Sequence, residues 1–246
     1  PVFLGNIFQQ FYNVADSIVA GQFIGVKALA AIGSTGSLMF FVTGWLNGLS
    51  SGFAILVSQW FGARQYDRMR HYVAMSVYLA AGFAILMTAV LMIANVPILR
   101  MMNFSDEIMP DVKAYMEIIY AGLIVTAAYN ALASFLRALG DSRSPLYFLI
   151  ISAAINVVLD IVFIVNFGMG VEGCAYATVI AQGISAVLCF IYILKKFPIL
   201  HLKKEDFVIS FGSFGRLLAL GIPMGLQFSI TAIGTIIVQG AVNVYG

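Results

Sequence analysis

Charged side chains are scarce in this sequence. Asp, Glu, Lys and Arg make up only 10% of the 246 residues, whereas hydrophobic residues make up 61% and the mean hydropathy is +0.97. A soluble domain carries about a quarter charged residues, so this chain could not cover a water-facing surface. The scarcity of charge excludes a soluble globular protein and predicts an integral membrane protein.

Two further scarcities exclude other classes. The net charge of +2 is too small to indicate a nucleic-acid partner. The two cysteines, Cys174 and Cys189, lie fifteen residues apart in one apolar segment, so we interpret them as small membrane residues and not as a disulfide or metal pair.

The sequence begins at Pro1 inside an apolar run without a basic signal-peptide region, and it ends at Gly246 without a polar tail. We therefore expect that both ends are truncations.

Long apolar runs predict seven membrane spans. They lack the alternating pattern of strands, and helices are the only other way to satisfy backbone polar groups in lipid. The fold class is therefore predicted to be all-α. The predicted spans cover residues 1–24, 34–60, 72–94, 112–137, 145–166, 171–194 and 217–245.

Basic residues are distributed unevenly between the connections. Ten of them follow spans 2, 4 and 6, whereas the other side holds only Lys27, Arg100 and Lys113. This bias predicts that the even-numbered connections are cytoplasmic. The ten are Arg64, Arg68, Arg70, Arg137, Arg143, Lys195, Lys196, Lys203, Lys204 and Arg216.

The region 195–216 divides the chain. It is the longest connection and is basic, and the segment after it, 217–246, loosely repeats the pattern of the first span, with a Pro near the start and a Gly 23–24 residues later. We interpret residues 1–194 as a six-helix bundle, 195–216 as a cytoplasmic linker and 217–246 as the first helix of a second bundle. Parallel repeats of this kind are a transporter architecture.

Polar residues inside the spans form stripes. They recur at i, i+4 and i+7 or i+8, so each set lies on one helix face that should point into the bundle. For the Ser and Thr residues, hydrogen bonding between helices is a sufficient explanation. The sets are Gln9, Asn13, Asp16 and Ser17; Thr126, Asn130 and Ser134; Ser152, Asn156 and Asp160; and Thr178, Gln182 and Ser185.

The two aspartates need a different explanation, because hydrogen bonding between helices requires no charge. No Lys or Arg lies within fifteen residues of Asp160 on either side, and a lone acid in a membrane span is by default functional. Helical rise places Asp16, Asp160 and Thr178 roughly 8–12 Å below the outer boundary, with Asn156 one turn deeper. Such a set of oxygen donors suits a hard cation or a proton.

Several motifs resemble the MATE (multidrug and toxic compound extrusion) family of transporters, in its prokaryotic branches. They are the residues Gln10-Phe-Tyr-Asn-Val-Ala-Asp-Ser-Ile-Val-Ala-Gly-Gln-Phe-Ile-Gly25, Phe135-Leu-Arg-Ala-Leu-Gly-Asp-Ser-Arg-Ser-Pro145, Asn156-Val-Val-Leu-Asp160 and Gly173-Cys-Ala-Tyr-Ala-Thr178. Members of this family are about twice as long and contain two six-helix bundles. The resemblance implies that this chain is the first bundle plus the first helix of the second.

The resemblance also implies a function, namely antiport of Na⁺ or H⁺ against amphiphilic, often cationic, drugs across the prokaryotic plasma membrane. The family's cation site corresponds to Asp16, Asn156, Asp160 and Thr178, which would hold Na⁺ in a sodium-coupled member. Tyr115 and Asn130 correspond to further positions in the cavity, and we add Gln9, Asn13 and Gln182 from the polar stripes. No cofactor is expected beyond the coupling ion, and the expected partners are drugs, membrane lipids and a second bundle.

Two alternatives stay open. A lipid-linked oligosaccharide flippase of the same superfamily would line its cavity with basic residues, whereas Lys and Arg occur only at the ends of a predicted span, as Lys113 and Arg137, and none is internal. An intramembrane aspartyl protease would resemble a Gly-x-Gly-Asp pattern, whereas Asp160 follows Val-Val-Leu and Gly140-Asp141 lacks the first Gly. We therefore expect a transporter and not an enzyme.

Overall fold

Helices account for the secondary structure of the chain. The computed structural model describes residue 14 and residues 17–245, without the side chains of residues 231, 244 and 245, and this part contains no strand. A helical segment at 17–23 precedes eight further α-helices. These are α1 (Val26–Ser34), α2 (Gly36–Gly62), α3 (Tyr66–Met101), α4 (Met109–Ala121), α5 (Leu123–Ala138), α6 (Ser144–Ile161), α7 (Val171–Lys196) and α8 (Phe211–Tyr245).

The helices are long and apolar enough to make this a multi-pass membrane protein. In the described residues five helical stretches have the length and hydropathy of a membrane span, with α1 and α2 counted as one. The helices α4 and α5 are bent by 49° relative to each other and pass the same test only when they are taken together, which would bring the number of spans to six. The predicted all-α membrane architecture is confirmed, although most of the predicted first span, 1–24, lies outside the described residues.

The bend between α4 and α5 occurs at Gly122, within the predicted span 112–137. A Cβ atom on Gly122 would lie 2.4 Å from Cγ2 of Val179 on α7, so a larger residue could not take this place without displacing α7. The glycine therefore lets the two helices change direction where they cross α7.

Glycines also bring α2 and α8 into backbone contact. A Cβ atom on Gly48 would lie 2.6 Å from the carbonyl oxygen of Met224, and one on Gly52 would lie 2.6 Å from that of Leu220. The partner glycines on α8 are Gly221 and Gly225. Small residues spaced four apart permit such close packing in membranes.

Apolar side chains form two separate cores. One contains Tyr120 and Cys174, and the other, toward the predicted cytoplasmic end, contains Phe135 and Cys189. The two cysteines therefore belong to different cores and form no disulfide with each other. Helices α5, α6 and α7 also bury polar side chains.

The predicted cytoplasmic end is held together by a buried polar cluster. Asp206, in the connection between α7 and α8, accepts hydrogen bonds from Arg70 Nε at 3.3 Å and from the backbone N–H of Lys203 at 2.7 Å. His71 contacts the carbonyl oxygen of Asp206 at 3.2 Å and Ser213 Oγ at 3.0 Å. The connection therefore folds against α3.

Candidate cation-binding site

Helix α6 buries a face that is polar over three consecutive turns. Ser152 is 1% exposed, and Asn156 and Asp160 are 0% exposed. The opposite face of the same helix is apolar and exposed, as expected for a surface in contact with lipid, and includes Ile151, Val158 and Ile161. The predicted polar stripe thus points into the bundle.

Asn156 is the strongest sign of a binding site on this face. Its Nδ2 and Oδ1 atoms are both buried, and neither has a hydrogen-bond partner in the part of the chain that the structure describes. Leaving buried polar atoms unsatisfied costs about 1–3 kcal/mol for each group. An amide retained at that cost is typical of a site that receives a ligand, an ion or water.

The backbone is irregular immediately after Asp160. Residues Val162–Asn166 form a π-helical turn that continues α6 toward the connection with α7. Such turns are rare and occur frequently at functional sites, because they change the direction of side chains and weaken the regular hydrogen-bond ladder. The sequence showed no signal for this turn.

Thr178 of α7 lies at a depth similar to that of Asp160. Helices α6 and α7 pack side by side, and a Cβ atom on Gly173 would lie 3.2 Å from Cβ of Phe163. Counted from this contact, Thr178 is five residues deeper and Asp160 three residues deeper, a difference of about 3 Å at helical rise. Thr178 is 3% exposed, so both side chains are buried in the bundle.

The other predicted cavity residues are only partly assembled. Tyr115 of α4 is 4% exposed and belongs to the same apolar core as Ile164 and Cys174, next to α6 and α7. Asn130 of α5 is half-buried. Gln9 and Asn13, predicted for the cavity, and Asp16, predicted for the cation site, lie outside the described residues.

Hydrogen bonds between helices explain some members of the polar stripes. Thr126 Oγ1 of α5 donates to Gln182 Oε1 of α7, and Ser185 Oγ of α7 donates to the carbonyl oxygen of Phe148 on α6 at 2.9 Å. These contacts confirm hydrogen bonding between helices as the explanation for Thr126 and Ser185. They also fix the neighbours of α6, and so the position of its polar face.

The donor types limit what the site could hold. Among the described residues no group of three or more His, Cys, Asp or Glu could bind a metal ion. Asp160, Asn156 and Thr178 supply carboxylate, amide and hydroxyl oxygens, which suit hard cations and protons and not soft transition metals.

Comparison with known proteins gives consistent matches over the chain. The family model described as MatE matches residues 1–162. In Bacillus subtilis (strain 168), "Probable multidrug resistance protein YpnP" is 31% identical over 250 residues and "Probable multidrug resistance protein YoeA" is 30% identical over 260 residues. Each alignment covers 100% of this chain but 55% of the relative. The chain thus spans about half the length of these relatives.

Solved structures share the fold. A structure described as the inward-facing conformation of a multidrug resistance MATE family transporter of the MOP superfamily has a TM-score of 0.88 at 23% identity, covering 96% of this chain and 56% of that one. The outward-facing conformation of such a transporter has a TM-score of 0.82 at 25% identity, covering 92% and 50%.

Proposed function

The chain belongs to the MATE family, and on that premise we propose that it forms the cation-coupled half of an antiporter that exports amphiphilic organic cations. Alternating access would exchange Na⁺ or H⁺ for the drug across the plasma membrane of a prokaryote. Because the chain spans about half the length of its relatives, the activity belongs to a protein with a second bundle. Membership of a transporter family confirms the expectation that this is not an enzyme.

One observation carries the proposal, namely the buried face of α6 on which Asn156 and Asp160 lie one turn apart. Burial penalises a charged carboxylate strongly, and an unsatisfied amide adds to the cost. A cation coordinated by both residues would repay these costs, with the Thr178 hydroxyl at similar depth. Asp16, the other acid that the sequence places at this depth, would complete the set.

In the proposed cycle, the carboxylate of Asp160 alternately binds the coupling cation and attracts the cationic drug. When no coupling cation is bound, the charged carboxylate makes the electrostatic potential of the cavity more negative. This favours binding of the cationic drug from the inner side. Entry of Na⁺ or H⁺ from outside neutralises the carboxylate and weakens that attraction, so the drug leaves. The π-helical turn after Asp160 is a place where the helix can adjust its geometry between the two states.

Efflux from proteoliposomes that carry the protein at its full coding length tests this mechanism. Imposed Na⁺ and pH gradients, applied separately, identify the coupling ion. Asp160→Asn keeps the size of the side chain and removes its charge, so we expect it to abolish gradient-driven efflux. Undiminished efflux in this variant would overturn the proposal.

A lipid-linked oligosaccharide flippase is the alternative within the same superfamily. Its substrate is anionic and its cavity would have to be basic, so a carboxylate on α6 would not help to bind it. Lipid export that persists in Asp160→Asn, together with no efflux of organic cations in the unmodified protein, would favour the flippase.

A further inference from the structure

A polar cavity lies toward the end of the bundle opposite to that of Asp160. It occupies about 280 Å³ between α2 and α5, near the predicted cytoplasmic end. Its lining residues recur at helical spacing, so one face of each helix forms a wall. They are Ser51, Ala54, Ile55, Ser58, Ser134, Arg137 and Ala138.

Arg137 is the only charged residue in this lining. The sequence places it at the last position of the predicted span 112–137, yet its side chain is half-buried between the helices and donates to Ser134 Oγ at 2.7 Å. No carboxylate of the described residues lies within ion-pair distance of its guanidinium, since the ion pairs found use Lys27, Arg70 and Lys113. A guanidinium has five N–H donors, so most of them are left for a ligand or water.

The hydroxyl groups add further donors to the positive charge. Ser134 Oγ accepts from Arg137 and keeps its own proton to donate. Within the described part of the chain no hydrogen bond occupies the hydroxyl proton of Ser51, whereas Ser58 Oγ already donates to the carbonyl oxygen of Ile55 at 2.8 Å. The cavity thus offers one cation and two hydroxyl donors, and its lining contains no carboxylate.

A neighbouring cavity differs in that its lining includes a carboxylate. It occupies about 740 Å³ at the same end and is lined by Arg143 and Lys196 together with Asp141. Asp141 accepts hydrogen bonds from the backbone N–H of Ser144 at 3.0 Å and from Tyr192 Oη at 2.9 Å. That cavity contains its own anion, and the cavity of Arg137 does not.

We propose that the cavity between α2 and α5 binds an oxyanionic group, a phosphate or a carboxylate, through Arg137, Ser134 and Ser51. Guanidinium and hydroxyl donors match the geometry and charge of such groups. The ligand arrives as a cytoplasmic solute or as the headgroup of an anionic lipid, since the cavity lies where both are present. This site is separate from the cation site on α6 and does not depend on it.

Thermal unfolding of the purified chain in nanodiscs tests the proposal and separates the two sources. In one arm, inorganic phosphate is titrated at constant ionic strength into nanodiscs of neutral phosphatidylcholine. In the other, no phosphate is added and the nanodiscs contain an increasing fraction of phosphatidylglycerol. The arm in which the unmodified chain shows a saturable rise in Tm identifies the source.

Arg137→Gln should weaken the response by about tenfold in apparent affinity, because charge-assisted hydrogen bonds contribute more than neutral ones. Arg143→Gln is the matched control: it removes an exposed arginine six residues away at the same end, and its response should equal that of the unmodified chain. A general attraction of anions to the basic end would weaken both variants equally and would overturn the proposal.

A second variant keeps the charge and protects the test against misfolding. Ser51→Ala combined with Ser134→Ala leaves Arg137 in place but removes both hydroxyl donors. We expect a higher half-saturating concentration with the same maximal rise in Tm. The cavity is not an oxyanion site if this double variant shows the same response to phosphate and to phosphatidylglycerol as the unmodified chain, and if Arg137→Gln, provided that it folds, does so too.

Discussion

Two aspartates of this chain are buried to nearly the same degree and have opposite surroundings. Asp206, 6% exposed, lies at the predicted cytoplasmic end and forms an ion pair with Arg70. Asp160, 0% exposed, lies in the bundle on a face with Ser152 and Asn156, with no Lys or Arg within fifteen residues along the chain. The carboxylate of Asp206 accepts hydrogen bonds from an arginine and a backbone N–H, whereas that of Asp160 lies on a buried helix face that also carries a hydroxyl and an amide.

The difference separates a carboxylate that holds the fold from one that serves function. A buried acid beside an arginine is neutralised permanently, and removing it exposes the arginine to the cost of burial. A buried acid beside amide and hydroxyl groups can be neutralised by an ion that comes and goes. We therefore expect substitutions at Asp206 to change stability and substitutions at Asp160 to change transport.

The largest effect is expected for Asp160→Asn. Gradient-driven drug efflux should be abolished, because the cation loses its charged ligand. The melting temperature should stay the same or rise, since a buried charge is removed. Glu117→Gln is the control, because Glu117 is partly exposed and paired with Lys113 at 3.7 Å; its efflux should be unchanged. Equal losses in the two variants would contradict the comparison.

Asp206→Asn should show the opposite phenotype. We expect it to destabilise the protein by about 1–3 kcal/mol, since Arg70 loses one carboxylate but keeps its pair with Asp67. Thermal unfolding in detergent measures this loss, and efflux per folded molecule should be retained. If Asp206→Asn abolished efflux at full stability, the connection would have a role in coupling that the comparison denies.

Asn156→Leu sharpens the comparison on the functional side. It removes two buried polar atoms that have no hydrogen-bond partner among the described residues and replaces them with apolar volume, so stability should be equal or higher by about 1 kcal/mol. Cation affinity should nevertheless fall by about tenfold. Ser185→Ala is the contrasting variant. It loses the hydrogen bond to the Phe148 carbonyl, so the free energy of unfolding should fall by about 0.6 kcal/mol while the affinity for the cation stays unchanged. Loss of stability in Asn156→Leu would show that the amide is structural.

The smallest effect concerns a third aspartate, Asp141, at the predicted cytoplasmic end. Burial alone would raise the pKa of Asp141, but hydrogen bonds from Ser144, Tyr192 and the backbone of Arg143 outweigh it and lower the pKa. A carboxyl group whose pKa is lower in the folded state stabilises that state at pH values above its pKa in the unfolded chain, which is about 4. This contribution is lost as the pH falls through the pKa of the folded state.

Unfolding temperatures measured between pH 3 and pH 8 check this sign. We expect no contribution from Asp141 to any change between pH 5 and 8, so a pH dependence of efflux in that range belongs elsewhere. Tyr192→Phe removes one donor and should reduce the stability lost on acidification. An equal or larger loss in Tyr192→Phe would contradict the assignment.

The parts of the account that follow local periodicity were predictable from the sequence. Ser152, Asn156 and Asp160 recur every four residues, and one face of a membrane helix must be buried, so their inward orientation followed from the helix itself. The glycine pairs of α2 and α8 were predictable for the same reason, since spacing of four residues places them on one face.

The parts that depend on distant contacts were not predictable. Arg70 and Asp206 are 136 residues apart along the chain, so no local sequence pattern predicts their ion pair. Arg137 lies at the end of a predicted span, where a long side chain can extend to water or turn inward. Its direction depends on the packing of α2 against α5. The π-helical turn after Asp160 likewise depends on how α6 meets α7.

The most direct test of the central claim is equilibrium binding of the coupling ion to the purified chain, measured as uptake of radioactive sodium and, in parallel, as proton uptake. The unmodified chain and Asp206→Asn should each bind about one ion per chain, and Asp160→Asn should bind almost none. Equal binding by the unmodified chain and Asp160→Asn, or its loss in Asp206→Asn, would contradict the assignment of Asp160 as the cation ligand.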